Sequence, residues 1–569
     1  MLRALAPPPR FDATHADQLC EHKALGVRES PETMSKNDPV DVLIVGAGAA
    51  GAAFAWSMAE TKMNILCLEQ GGWVKTDDYP GLRADWEARQ FGDFAFSPNV
   101  RRRREDYPIN DAGSPIQISN FNAVGGSTIL YAAHFPRFHP SDFKARTLDG
   151  VGDDWPLDYA TLAPWYDLNA RMMGVSGLAG DPMYPPGKEL PLPPVPLGKL
   201  GETLARGFNE LGWHWWPSDS AITTEEYEGR AACINAGTCL MGCPQGAKGS
   251  SDVTYWPIAI RKGVRVETHC RVREITVDEN GMADGVIYYD GEGVERRQRA
   301  HIVVVACNGI GTPRLLLNSK SKHFPDGLAN RNGLVGKRLM FHPYAMVTGL
   351  FPERLDGYKG PSGCCIMSQE FYETDPSRGF ARGYSFEMLR GFGPVSTAMI
   401  GLSCGRMPHG ADHHRAYDEL WDRNAGMVAI CEDLPEETNT VTLDPEIADP
   451  DGIPAPKINY RLSQNSLDML EHAVARGKEV LAAAGAVDTM VQSPLPFAGW
   501  HLMGTTCMGT DPERSVVNAW GRAHDVKNLF VVDGSIFTTS AGVNPTNTIQ
   551  ALALYIADHM KKNLATLFD

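Results

Sequence analysis

The feature that most constrains this chain is a turn of three glycines set between a strand and a helix. Val40–Val45 reads VDVLIV, an apolar run rich in β-branched side chains, which predicts a strand buried on both faces. It runs into Gly46-Ala47-Gly48-Ala49-Ala50-Gly51, and an alanine-rich helical stretch follows to Glu60. A second strand at 63–68 (MNILCL) ends at Glu69. That is a complete dinucleotide-binding βαβ unit. Gly46 permits the tight turn, Gly48 lets backbone approach a pyrophosphate, and Gly51 lets the helix pack on the strand. The turn residues Ala49 and Ala50 open the helix, whose free N–H groups suit phosphate. Glu69 lies 69 − 51 = 18 residues beyond the last glycine. A carboxylate there accepts from ribose hydroxyls.

Composition narrows the rest. With 569 residues, 43% apolar and 21% charged, there is ample chain for a large globular core. A net charge of −16 repels polyanions, which argues against a nucleic acid or an anionic membrane as partner. No apolar stretch is long enough to span a bilayer. Residues 1–38 are polar and lack the apolar segment of a secretion signal. They are expected to be a disordered leader, with Met34 as a candidate start. The expected compartment is the cytoplasm, or the periplasm if a signal-bearing partner carries the folded chain outward. The proline-rich stretch 183–197 reads as a stiff extended connector. The four arginines at 101–104 read as a solvated surface loop.

Further segments carry a resemblance. They are AVGGSTILY at 123–131, HIVVVACNGIGTPRLLLN at 301–318, GWHLMGT at 499–505, FVVDGS at 530–535, and Asn544-Pro545-Thr546 before an apolar helical run. Together they make residues 39–565 resemble the glucose–methanol–choline (GMC) family of FAD-dependent oxidoreductases. The resemblance implies an α/β fold. A Rossmann-like FAD-binding domain would be built from the discontinuous segments 39–343 and 496–569, with 151–230 as an insertion near the substrate site. Residues 344–495 would form an antiparallel-sheet substrate domain, with 432–445 and 453–460 among the strands of the sheet covering the flavin. By the same resemblance, Gly125, Gly126 and Ser127 run beside the flavin. Val272 either meets adenine through its backbone or packs in the core. Asp533 and Gly534 meet the pyrophosphate and ribityl chain, and Asn544 and Thr546 start a helix aimed at the flavin. Some relatives attach FAD covalently through a histidine; the matching position is Leu130, which has no nucleophile, so FAD is expected to be non-covalent. His134 and His139 lie nearby.

The implied reaction is oxidation of a hydroxyl in a sugar, glycoside or other alcohol, with electrons passed to an external acceptor. An alcohol needs a base for its proton while the flavin takes the hydride, and histidine is suited to that task near neutrality. His501 matches the family's base and Asn544 its partner at the substrate oxygen. His342, in VGKRLMFHP, is expected to be structural. The alternatives are an oxidase producing hydrogen peroxide, a FAD-containing lyase, and a non-catalytic flavoprotein. Trp213, Trp215 and Trp216 either stack on a sugar or belong to the core.

Cys233, Cys239 and Cys243 have the spacing C-x5-C-x3-C-P. Two readings stand: a three-iron iron–sulfur cluster, as in the bacterial sugar and gluconate dehydrogenases of the family, or three reduced structural cysteines. A cluster would bring a small redox subunit or cytochrome as partner, since the chain has no haem-attachment run.

Overall fold

The computed structural model describes residues 38–362 and 365–567. Apart from Asp38, the leader expected at 1–38, with Met34, lies outside the described residues. The described residues from 39 onward gather into one compact unit.

The apolar run Val40–Val45 is a strand with all but Asp41 buried. It is the middle of a seven-stranded sheet. On one side it pairs in parallel with Ile65–Leu68, Val42 opposite Ile65 and Val45 opposite Leu68. On the other it pairs in parallel with the end of Glu295–Val305, whose Val305 faces Val45. Arg265–Glu267 and Leu529–Val531 extend this parallel part. Both faces are covered, so these strands read as unbroken apolar runs. The polar first half of Glu295–Val305 continues into an antiparallel meander with Ala283–Tyr289 and Arg271–Val277. Helix Ala49–Met58 crosses back over the sheet and packs on the C-terminal helix Thr546–Lys562. The contact is close because one partner is nearly all alanine and glycine.

A second, antiparallel sheet has the order Asp488–Gln492, Tyr344–Leu350, Asn424–Cys431, Tyr384–Leu389, Ile366–Ser368, Trp216–Pro217. Helix Gln464–Ala483 covers one face, Gly477 lying against Val347. Side chains alternate along each strand, so the opposite face carries Tyr344, Glu387 and Val428 together.

Two expectations change, and one open choice is decided. Thr440–Ala448 and Pro454–Asn459 are strands, but they do not join the sheet that lines the cavity described below. They pair with each other and with Asn110–Gly113 in a separate three-stranded sheet. The arginines at 101–104 do not all face solvent. Arg101 is buried, its guanidinium on both oxygens of Asp106 (3.1 and 2.6 Å) and on the carbonyls of Ala95, Phe96 and Asn120. A charge so deep is tolerated because every donor nitrogen has an acceptor. Trp213 meets Phe371 edge to face, and Trp215 and Trp216 spend their indole N–H groups on Asn209 and on the Leu178 carbonyl. None of the three lines the cavity, so they do not stack on a substrate there.

Candidate active site

A cavity of about 420 Å³ lies between the two sheets. One end is made of backbone. Gly46 holds φ = +102°, and a Cβ on it would sit 2.5 Å from the Ala306 carbonyl oxygen. A Cβ on Gly51 would sit 2.1 Å from the Gly46 oxygen. Gly51 therefore acts behind the cavity wall, as Gly125 does, whereas Gly46, Gly48, Ala49 and Ala50 line it. Gly48 is the N-cap of the first helix, and no side chain caps that helix. A Cβ on Gly48 would meet no protein atom within 4 Å. The space before the first helical N–H groups is thus kept open by the lack of a side chain.

A second glycine turn lies against the first. Gly125 N–H donates to the Ala47 carbonyl (2.9 Å), and Gly126, at φ = +55°, comes within contact of Gly48. Gly126 and Ser127 line the cavity. Glu69 braces the arrangement: its two oxygens accept from the N–H groups of Ala47 and Gly71, each at 2.8 Å. Burial lifts its carboxyl to about 7 against the pull of those amides. Asp533 braces the other side, accepting from Asn308 N–H, the Thr312 hydroxyl and Ser535 N–H. Val272, Asp533 and Gly534 line the wall, and Asn544 and Thr546 bring in the N-terminus of the C-terminal helix. Two open helix N-termini, a carboxylate after the second strand and an apolar wall fit a dinucleotide bearing a pyrophosphate. Leu130 lies in the wall and is fully buried.

The other end is made of side chains. His342 Nε2 lies 2.7 Å from the Ala541 carbonyl and 3.2 Å from that of Ser540. Carbonyls only accept, so Nε2 carries the hydrogen. Burial lowers this imidazole to about 4, so it is neutral and its Nδ1 is a lone pair. That Nδ1 is 2.7 Å from His501 Nδ1, which must therefore donate. Burial, then the neighbouring His342 and His134, push His501 well below its ordinary value. A neutral His501 protonated on Nδ1 presents a basic Nε2 to the cavity. The Tyr344 hydroxyl, 3.2 Å from His501 Nδ1, closes the group.

Asn544 lines the same cavity as His501 and Glu387. Glu387 is 3% exposed, and burial raises its carboxyl to about 8. His134 Nε2 approaches Glu387 Oε2 at 3.4 Å. That separation would suit an ion pair, but burial takes His134 down to about 3 and Glu387 up, so the two meet as neutral groups. His139 is elsewhere, bonded to Glu373 and stacked on Tyr372.

His342 is thus not merely structural. Sequence reasoning also missed Glu387 and Tyr344, and took His134 only as a flavin attachment point. The available signal for Glu387 was a lone carboxylate inside the apolar strand YSFEML.

Cys233, Cys239 and Cys243 line a separate small cavity with Leu82 and Ile234. Among the described residues, no three His, Cys, Asp or Glu side chains are grouped as metal ligands would be. Burial raises the Cys233 thiol to about 11 and also raises Cys239.

Comparisons with known proteins bear on the family and the fold. Two models of the GMC oxidoreductase family match, one over residues 40–344 and one over 435–553. The chain is 44% identical to 2-methyl-1,2-propanediol dehydrogenase of Mycolicibacterium austroafricanum, over 94% of this chain and 97% of that one. It is 28% identical to the fructose dehydrogenase large subunit of Gluconobacter japonicus, over 94% and 99%. Among solved structures, a formate oxidase from Aspergillus oryzae superposes with a TM-score of 0.65 at 15% identity, covering 94% of this chain and all of that one.

Proposed function

The chain belongs to the GMC oxidoreductase family, and from that premise we propose that it oxidises the hydroxyl of a small alcohol or polyol at His501, handing the electrons to an external acceptor. FAD-dependent oxidation of hydroxyl groups is the chemistry of its relatives. When bound, FAD supplies the two-electron oxidant that takes the carbon's hydride. Residues 46–50 would hold its pyrophosphate, Glu69 its ribose, and the Asn544–Thr546 turn its redox-active end.

The chain's own residues do the proton chemistry. The substrate hydroxyl donates to His501 Nε2, which keeps the proton as the carbonyl forms. His342 fixes the ring by accepting from His501 Nδ1, and the carbonyls of Ala541 and Ser540 fix His342 in turn. The amide of Asn544 orients the substrate oxygen without titrating. The single observation that carries this reading is the relay from the two carbonyls through His342 to His501. It supports a base with one defined tautomer, neutral before the reaction, as general-base catalysis needs. A positioned base of this kind contributes roughly 10²–10⁴ in rate.

The electron acceptor is the finer part of the proposal. The name of one relative, a dehydrogenase, supports an external acceptor over oxygen, and the large-subunit name of another supports a redox partner. Cys233, Cys239 and Cys243 share one small cavity but are not grouped as metal ligands would be, so the three-iron cluster gains no support and is not part of the proposal. Iron analysis separates it from three reduced thiols: about three irons per chain, or none.

An anaerobic visible spectrum tests the central reading. Flavin bands that bleach with an alcohol or polyol, and bleach at least about 10²-fold more slowly in His501→Ala, are the expected result. Bleaching at the wild-type rate in His501→Ala would remove His501 from the proposal.

A further inference from the structure

We propose that Glu387, His134 and Asn544 form a subsite for a second substrate hydroxyl, so that the substrate is a compact vicinal diol. This rests on the placement of the reacting hydroxyl at His501 and Asn544.

Three polar atoms at this end of the cavity are buried and make no hydrogen bond: Glu387 Oε1, His134 Nε2 and Asn544 Oδ1. Buried polar atoms are nearly always paired, and three such atoms on one cavity wall mark a place built for a ligand. Their surroundings are held firmly. Glu387 sits mid-strand opposite Val428. His134 is anchored by Ser218, whose hydroxyl is 3.1 Å from Nδ1, and by a backbone bridge to Ser220. Both side chains are at least nine-tenths buried, 4% and 2% exposed.

A hydroxyl matches the trio because it brings one donor and two acceptor lone pairs. It donates to Asn544 Oδ1 and accepts from the Glu387 acid and from the His134 ring N–H. The distance between the two hydroxyls follows from Asn544. That amide orients the first oxygen, and its unpaired Oδ1 accepts from the second, so the two sites are one amide group apart. That spacing suits oxygens on adjacent carbons. The remaining wall is apolar, with Leu389, Val428 and Ile430, which suits alkyl substituents on the carbon bearing the second hydroxyl. Burial keeps Glu387 in its acid form and His134 neutral. An uncharged subsite suits a hydroxyl and offers no counter-ion to an ammonium group.

The test compares three molecules of one skeleton: 2-methyl-1,2-propanediol, 2-methyl-1-propanol and 2-amino-2-methyl-1-propanol. Holoenzyme kcat/KM with a dye acceptor should favour the diol over the mono-alcohol by at least about 10²-fold. A site built to hydrogen-bond a hydroxyl rejects the analogue lacking it by such factors or more. Glu387→Leu should collapse that ratio to below about tenfold. Glu387→Gln, which keeps the shape, should leave it in between. Equal rates for diol and mono-alcohol in the wild type would overturn the subsite while leaving the oxidation reading intact. Preference for the amino alcohol, or a ratio unchanged in Glu387→Leu, would also overturn it. Binding gives an independent measure. In flavin-loaded His501→Ala, the diol should perturb the flavin spectrum with a Kd at least about tenfold below that of the mono-alcohol. Equal Kd values overturn the subsite. Turnover by that variant at the wild-type rate overturns the role of His501 instead, and the two Kd values still decide the subsite.

Discussion

The two ends of the cavity are built by opposite means. The cradle at Gly46–Gly51 is backbone: a glycine turn, open N–H groups and one carboxylate whose oxygens are both engaged by amides. The hydroxyl end is side chains from five distant places, at 134, 342–344, 387, 501 and 544, with three polar atoms left unpaired. The cradle tolerates change in side-chain identity but not in side-chain presence. The hydroxyl end does the reverse: most of its positions would accept a side chain of the same shape without harm to the fold, and lose function. Phosphate needs donors and a dipole, which any backbone supplies. Proton transfer needs a titratable nitrogen in one tautomer, which only particular side chains supply.

The largest expected effects separate two glycines of the cradle. Gly51→Val drives a side chain into the Gly46 carbonyl, 2.1 Å from its Cβ, and should prevent the domain from folding with FAD at all. In Gly48→Val the Cβ meets no protein atom within 4 Å, and the residue sits at an ordinary φ of −74°. Its apo-protein should melt within about 1 °C of wild type yet purify without flavin absorbance. A Gly48→Val enzyme that keeps its flavin would break the contrast, because the cradle would then not be held open for a ligand.

Next in size is the base. His501→Ala should retain flavin and lose roughly 10²–10⁴ in the rate of anaerobic flavin reduction. His342 then tests whether the relay matters. His342→Leu removes the acceptor for His501 Nδ1 and should cost roughly 10–100-fold in kcat, as loss of a second partner behind a functional histidine commonly does. His342→Asn offers a carbonyl to His501 and an amide to the Ala541 oxygen, and should recover most of that loss. Equal defects in Leu and Asn would reduce His342 to packing.

The same contrast explains what the sequence revealed. A backbone cradle must be contiguous, so strand, glycines, helix and Glu69 announce it within 30 residues. The side-chain end has no such signature. His501 and Asn544 were legible only through the resemblance carried by GWHLMGT and Asn544-Pro545-Thr546. His342 looked structural because VGKRLMFHP gives no hint that its ring lies 2.7 Å from His501. Glu387 was hidden because strand pairing, not spacing, brings it to the cavity. The strands at 440–448 and 454–459 show the same limit: their periodicity reveals strands, but their partner is Asn110–Gly113, more than 300 residues away. The arginine run misled for a related reason. Charge runs are usually solvated, and only Asp106, with three converging carbonyls, turns Arg101 inward.

The smallest expected effect concerns the two buried carboxyls themselves. Burial raises both, Glu69 to about 7 and Glu387 to about 8, from an ordinary 4.5. A carboxyl raised on folding binds its proton more tightly in the native state. Its stabilisation is complete below pH 4.5 and is lost as pH rises through the folded value, here across about 4.5 to 8 for Glu387. Wild-type melting temperature should therefore fall over that window. Glu387→Gln has no proton to lose there, so its melting temperature should fall less steeply, by a few degrees over the window. Glu69→Gln should flatten the curve too, across about 4.5 to 7, but it also replaces one of two oxygens that accept backbone N–H groups and so lowers the melting temperature at every pH. A flatter curve without a loss at low pH for Glu387→Gln, and a flatter curve displaced downward throughout for Glu69→Gln, would separate a carboxyl kept as an acid in a pocket from one employed as a brace. Superposed curves for the two variants would show that the two ends of the cavity use their carboxyls alike.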